Sequence, residues 1–141
     1  MLGLCFAPVV LAGALVTVQT SWHQTDSVDG VVVDLQTCER GAGAHLRATS
    51  SGVYGLGAHY GFQWELGSGW VTTIQPRAGF SYVDHPVAAL PLRTQFELGL
   101  QWSAGRGRWR AALDYWHLSN AGLTPGNVGL DMISTLLGIV F

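Results

Sequence analysis

From position 54 to position 66 the chain alternates without a break. Tyr54, Leu56, Ala58, Tyr60, Phe62, Trp64 and Leu66 fall on one face, and Gly55, Gly57, His59, Gly61, Gln63 and Glu65 fall on the other. A period of two is the signature of a β-strand. The unusual feature is the partition between the faces: one carries aromatic and aliphatic side chains, the other glycine and ionisable or amide groups. Position 92 onward repeats it, with Leu92, Thr94, Phe96, Leu98, Leu100 and Trp102 opposed by Arg93, Gln95, Glu97, Gly99, Gln101 and Ser103. In the segment from 70 to 83, Trp70, Thr72, Ile74, Ala78, Phe80 and Tyr82 oppose Thr73, Gln75, Arg77, Gly79 and Ser81. Trp109, Ala111, Leu113 and Tyr115 share a face opposite Arg110 and Asp114.

A narrow barrel explains the small, polar face, because its interior has room only for small side chains interleaved with groups that neutralise one another. Arg77, Arg93, Glu97, Arg110 and Asp114 read as that filling, and His45 and His59 as interior groups paired with acids or water. The large side chains then face outward. Charged residues are 11% of the chain and hydrophobic ones 48%, whereas a water-soluble domain carries roughly 25% charge. Past the N-terminus no apolar run has the length of a membrane helix. In hydrocarbon every backbone N–H and C=O must be paired within the protein, which leaves a closed barrel as the way to span. Aromatic residues at strand ends (Tyr54, Trp64, Trp70, Tyr82, Trp102, Trp109) suit the interfacial girdles of such barrels.

The expected architecture is all-β, an eight-stranded antiparallel transmembrane barrel of the bacterial outer-membrane type, with strands near 15–22, 30–38, 41–49, 53–66, 69–83, 92–104, 108–118 and 129–141. Short turns at 67–69 and 104–107 alternate with longer connections at 84–91 and 120–128, the asymmetry expected of periplasmic turns and outer loops. Residues 1–14, MLGLCFAPVVLAGA, end in a small-residue A-x-A pattern and read as an export signal. Residues 15–141 then form one barrel domain. Cys38 would be left alone in the mature chain, so no internal disulfide is expected. The net charge of −2 and the lack of a basic stripe argue against a nucleic-acid partner. No ligand spacing groups the histidines, so no metal site and no cofactor are expected. The oligomeric state stays open, a homodimer included.

The chemistry lies in WHLSNAGLTPGNVGLD, residues 116–131. His117 and Ser119 are two apart in a strand and project from one face, the outward one. Asp131 shares its face with Ile133, Leu137, Ile139 and Phe141, again outward. One hairpin thus brings a hydroxyl, an imidazole and a carboxylate to the outer wall just below the 120–128 loop, the set needed for nucleophile, base and orienter. An ester at that depth belongs to a lipid. The plainer alternative is that these are interfacial polar residues beside a turn, since Ser119-Asn120-Ala121-Gly122 is ordinary turn chemistry.

This segment resembles the C-terminal hairpin of the PagL-type outer-membrane lipid A 3-O-deacylases, whose pattern H-x-S-N-x-G, then Asn, then an acidic residue opening the last strand is met by His117, Ser119, Asn120, Gly122, Asn127 and Asp131. The terminal Phe141, with Ile139 and Leu137 on its face, is similar to the C-terminal signature of outer-membrane barrels. The resemblance implies an eight-stranded barrel with a lipid-facing active site. It implies Ser119 as nucleophile, His117 as general base and Asp131 as the acid that orients the imidazole. Asn120, Gly122 and Asn127 would position substrate or stabilise the oxyanion. The family's best-known members carry Glu where this chain has Asp131, one methylene shorter. The substrate implied is lipid A of lipopolysaccharide among outer-membrane lipids. The competing readings are a non-catalytic structural or adhesion barrel, a phospholipase using the same triad, and an inactive member of the deacylase family.

Overall fold

A computed structural model describes residues 19–21, 31–85, 92–123, 125 and 129–140. Its strands are β1 (Gln19–Ser21), β2 (Val32–Gln36), β3 (Gly41–Thr49), β4 (Val53–Gly67), β5 (Trp70–Val83), β6 (Thr94–Arg106), β7 (Trp109–Ser119) and β8 (Leu130–Ile139). All pairings are antiparallel, and the sheet order is β1-β8-β7-β6-β5-β4-β3-β2. β2 to β8 make the wall, and β1 is a three-residue piece laid against β8. The strand expected over 15–22 is therefore described only at Gln19–Ser21, and the proposed signal at 1–14 lies outside the described residues.

The wall curls into a nearly closed barrel, as contacts across its interior require. In the sheet order β3 and β7 are four strands apart, about 19 Å in a flat sheet at 4.8 Å per strand. Yet Arg47 Nη2 on β3 donates to Asp114 Oδ2 on β7 at 2.6 Å. Gln36 of β2 likewise reaches Gln101 of β6 at 2.9 Å, and Arg77 of β5 bonds Asp34 of β2.

The partition of faces agrees with the sequence reading. Leu56, Phe62, Trp64, Phe80, Leu98, Trp102, Trp109 and Leu137 are exposed on the outside, while Gln75, Arg77, Glu97, Gln101 and Asp114 are buried within. Three layers fill the interior. Near the 120–129 loop, Val53, Val83, Trp116, Leu118, Leu130 and Met132 form an apolar plug. Below it, Arg47 donates to Glu97 Oε1 (2.8 Å) and Asp114, and lies 4.1 Å over the Trp116 ring. Glu97 also accepts from Ser81 (2.5 Å) and meets His45 Nε2 at 3.2 Å. At the far end Arg110 forks onto both carboxylate oxygens of Glu39, at 2.7 and 2.9 Å. The glycines of β4 make room for this network: a Cβ on Gly55 would stand 2.4 Å from Glu97 Oε2, and one on Gly57 2.7 Å from His45 Cε1.

Three readings need adjustment. Arg93 is not interior filling. It stands at the barrel rim, one residue before β6, which begins at Thr94. Its backbone still continues the register, since Val83 N donates to the Arg93 carbonyl oxygen at 2.7 Å. At the rim, however, its side chain turns out of the lumen, half-exposed, to donate to Tyr82 Oη and to the Asp84 carbonyl oxygen, both at 2.8 Å. His59 is interior, but the partner of its Nε2 is a backbone group, the Cys38 carbonyl oxygen at 2.8 Å, and not an acid. The β6–β7 turn is tighter than expected, because β6 runs to Arg106 and β7 starts at Trp109.

Candidate active site

Strand register assembles the site. In the β7–β8 hairpin His117 stands directly opposite Asp131, and Leu118 opposite Leu130. Directly opposed residues share a face of the sheet, so alternation places Trp116, Leu118, Leu130 and Met132 inside and His117, Ser119 and Asp131 outside. Burial agrees: the first four are fully buried, and the side chains of His117 and Asp131 are 33% and 41% exposed. His117 Nδ1 and Asp131 Oδ1 are 2.8 Å apart. Tyr115 Oη donates to the same carboxylate oxygen at 2.6 Å.

With Nδ1 engaged, the other edge of the imidazole is free to act, and its direction matters. A Cβ built on Gly129 would lie 2.6 Å from His117 Cε1 and 3.0 Å from Nε2. That edge therefore leans over Gly129. Continuing the register by one pair puts Gly129 at the level of Ser119, which pairs with Phe96 on the other side. Nε2 thus points along the outer wall toward the tier of Ser119. Ser119 and His117 share a face but are not hydrogen-bonded to each other in the structure. A catalytic pair is often looser without substrate and tightens in the Michaelis complex.

The turn that follows Ser119 is set by backbone chemistry. Leu123 N donates to the Asn120 carbonyl oxygen at 3.1 Å across Ala121 (φ 53°) and Gly122 (φ 77°), a turn with both central residues left-handed. Asn120 is buried, and its Oδ1 accepts from Gly122 N at 3.0 Å. Its side-chain oxygen therefore shapes the turn from the inner side. Gly122 is exposed, with open space where a Cβ would go. Asn127 lies outside the described residues. Two residues escaped the sequence reading. Gly129 could have been found as the glycine two before Asp131 on its face; the Tyr115 hydroxyl had no signal to separate it from girdle aromatics. Among the described residues, no cluster of three or more His, Cys, Asp or Glu side chains is placed to hold a metal ion.

An outward-facing imidazole and carboxylate on an apolar barrel wall, beside a serine on the same face, define a class: a small β-barrel with a hydrolase-like constellation on its outer surface. The family model described as lipid A 3-O-deacylase (PagL) matches residues 13–140, and the chain belongs to that family. Membership implies lipid A 3-O-deacylase activity, with lipid A as the substrate. No curated protein and no solved structure gives a significant match.

Proposed function

We propose that this protein is an outer-membrane serine esterase that hydrolyses the ester-linked 3-hydroxyacyl chain at the 3-position of lipid A. The single observation that carries the proposal is the bond from His117 to Asp131 on the exposed wall, with Ser119 one tier above in a chain of this family. In this reading the barrel is closed by eight strands, spans the outer membrane, and is exported through residues 1–14. A wall bearing Leu56, Phe80, Leu98, Trp102 and Leu137 at its surface fits hydrocarbon, since apolar patches of this extent are rare on proteins that face water. A shallow groove lined by Trp102, Ala104, Ala111, Leu113 and Leu137 runs down the same wall below the site and offers acyl chains a path.

The reaction then proceeds as acyl transfer. Ser119 Oγ attacks the ester carbonyl while His117 Nε2 takes its proton, and Asp131 holds the imidazolium that forms. The tetrahedral intermediate collapses, His117 returns the proton to the leaving sugar oxygen, and the acyl group remains on Ser119. Water, deprotonated by His117, releases it as a free 3-hydroxy fatty acid. Oxyanion stabilisation, a large term in such reactions, falls in this proposal to donors of the loop around Gly122 and Asn127, with Asn120 holding the turn. The reaction as written needs no cofactor.

Mass spectrometry of lipid A from cells expressing the protein tests this. Loss of one 3-hydroxyacyl chain with the wild type, and intact lipid A with Ser119→Ala, is the expected result. Intact lipid A beside a correctly inserted wild-type barrel, or deacylation that survives Ser119→Ala, overturns it.

A further inference from the structure

Tyr115 lies on the outer face of β7, two residues below His117, and is 44% exposed. A phenol there has an ordinary explanation, because rings with one wet end populate the interfacial bands of barrels. Tyr54 and Tyr60 stand on the same wall in that manner. Tyr115 differs in where its hydroxyl goes. Tyr115 pairs across the hairpin with Ile133, whereas Asp131 pairs with His117. The phenol therefore reaches diagonally up the wall to donate to Asp131 Oδ1 at 2.6 Å, the same oxygen that His117 Nδ1 approaches at 2.8 Å.

Two donors on one carboxylate oxygen hold it better than one. Asp131 has a short side chain with two rotatable bonds and sits half-exposed at the wall. Without the phenol it has more freedom to turn toward water, and His117 more freedom to take either tautomer. Hydrogen bonds to a charged acceptor are among the stronger ones, and a second one favours a single side-chain orientation. The orientation selected keeps the His117 proton on Nδ1 and turns Nε2, the basic nitrogen, toward Ser119. We infer that Tyr115 is a positioning residue of the site, fixing Asp131 so that a carboxylate on a short arm orients His117. This inference rests on the esterase reading above.

Tyr115→Phe removes the hydroxyl and keeps the ring, with Tyr60→Phe as the matched loss of a phenol elsewhere on the wall. Two readouts on the full chain folded in detergent micelles decide the matter: steady-state release of fatty acid from purified lipid A, and the nitrogen shifts of the His117 imidazole, which report which ring nitrogen carries the proton. The expected result for Tyr115→Phe is a kcat about tenfold lower, ~1.4 kcal/mol in the barrier, with KM unchanged. The His117 proton should also shift partly from Nδ1 to Nε2, and Tyr60→Phe should alter neither readout. An unchanged kcat with an unchanged tautomer overturns the inference, as does a loss confined to KM. If the wild type releases no acid from lipid A, the deacylase reading fails, while the tautomer comparison still decides the role of Tyr115.

Discussion

Gly129→Ala is the most informative single substitution, because the structure separates its two effects. Gly129 has φ 76°, where an L-residue is strained by about 1–2 kcal/mol. The added Cβ would meet His117 Cε1 at 2.6 Å and Nε2 at 3.0 Å, and the Leu118 carbonyl oxygen at 2.9 Å. Ordinary carbon contacts lie near 3.5–4.0 Å, so the imidazole must retreat by about 1 Å or the start of β8 must move. A misplacement of that size can cost about a hundredfold in rate. Gly67→Ala supplies the control, since Gly67 has φ 88° but open space around its missing Cβ, at the far end of the barrel. Both variants should lose stability in urea unfolding from micelles through the shared backbone strain, Gly129→Ala the more because of its clash. Only Gly129→Ala should lose activity, by about two orders of magnitude in fatty-acid release. Equal activities in the two variants would refute the claim that the imidazole leans on Gly129.

Two further outcomes test the frame and the loop. Arg47→Met should destabilise the barrel by about 3–5 kcal/mol, because it strands the buried Glu97 and Asp114 carboxylates that Arg47 bridges. Adding Glu97→Gln and Asp114→Asn to that variant should recover much of the loss, and a single variant that unfolds at the wild-type urea concentration would contradict the assignment. Ala121→Gly should raise the unfolding midpoint slightly, by up to about 1 kcal/mol, since it relieves a left-handed alanine at φ 53°; a clear fall in the midpoint would count against the turn described.

The sequence exposed the fold wherever alternation ran long. β4, β5 and β6 carry enough consecutive alternating positions to show strand, face and polarity together, so the inward placement of Gln75, Arg77, Glu97 and Gln101 could be read directly. β2 was bounded too widely, at 30–38 against Val32–Gln36, because a strand of five residues between turn segments offers too few alternations. The error at Arg93 has another origin: at the rim a long side chain can leave the lumen, and this one turns outward to Tyr82 and Asp84. The composition of the interior network was only half legible. Asp114 and Glu97 sit in clear patterns, but Asp34 and Arg47 lie in short segments where nothing announced that they meet their partners across the lumen.

The site shows the limit more sharply. Period two sufficed to place His117, Ser119 and Asp131 on one wall, because side-chain direction along a strand is a local property. Register is not local: that His117 meets Asp131 rather than Ile133 depends on how many residues separate the two strands, and the turn that opens this connection is shaped by left-handed Ala121 and Gly122 and by the Asn120 side chain on the inner side. A shift of two residues would keep every face assignment and still separate base from carboxylate. Asn120 therefore bears on the outer-wall chemistry through the turn it stabilises, although its own side chain is buried. The interior helps in the same way. With Trp116, Leu118, Leu130 and Met132 packed behind the site and Arg47 tied to Asp114 below them, the hairpin carrying the proposed triad is backed by a filled core. Catalytic side chains on strands held this firmly keep their geometry better than ones on loops. If the site opens onto lipid as proposed, that rigidity has to come from the wall and its core.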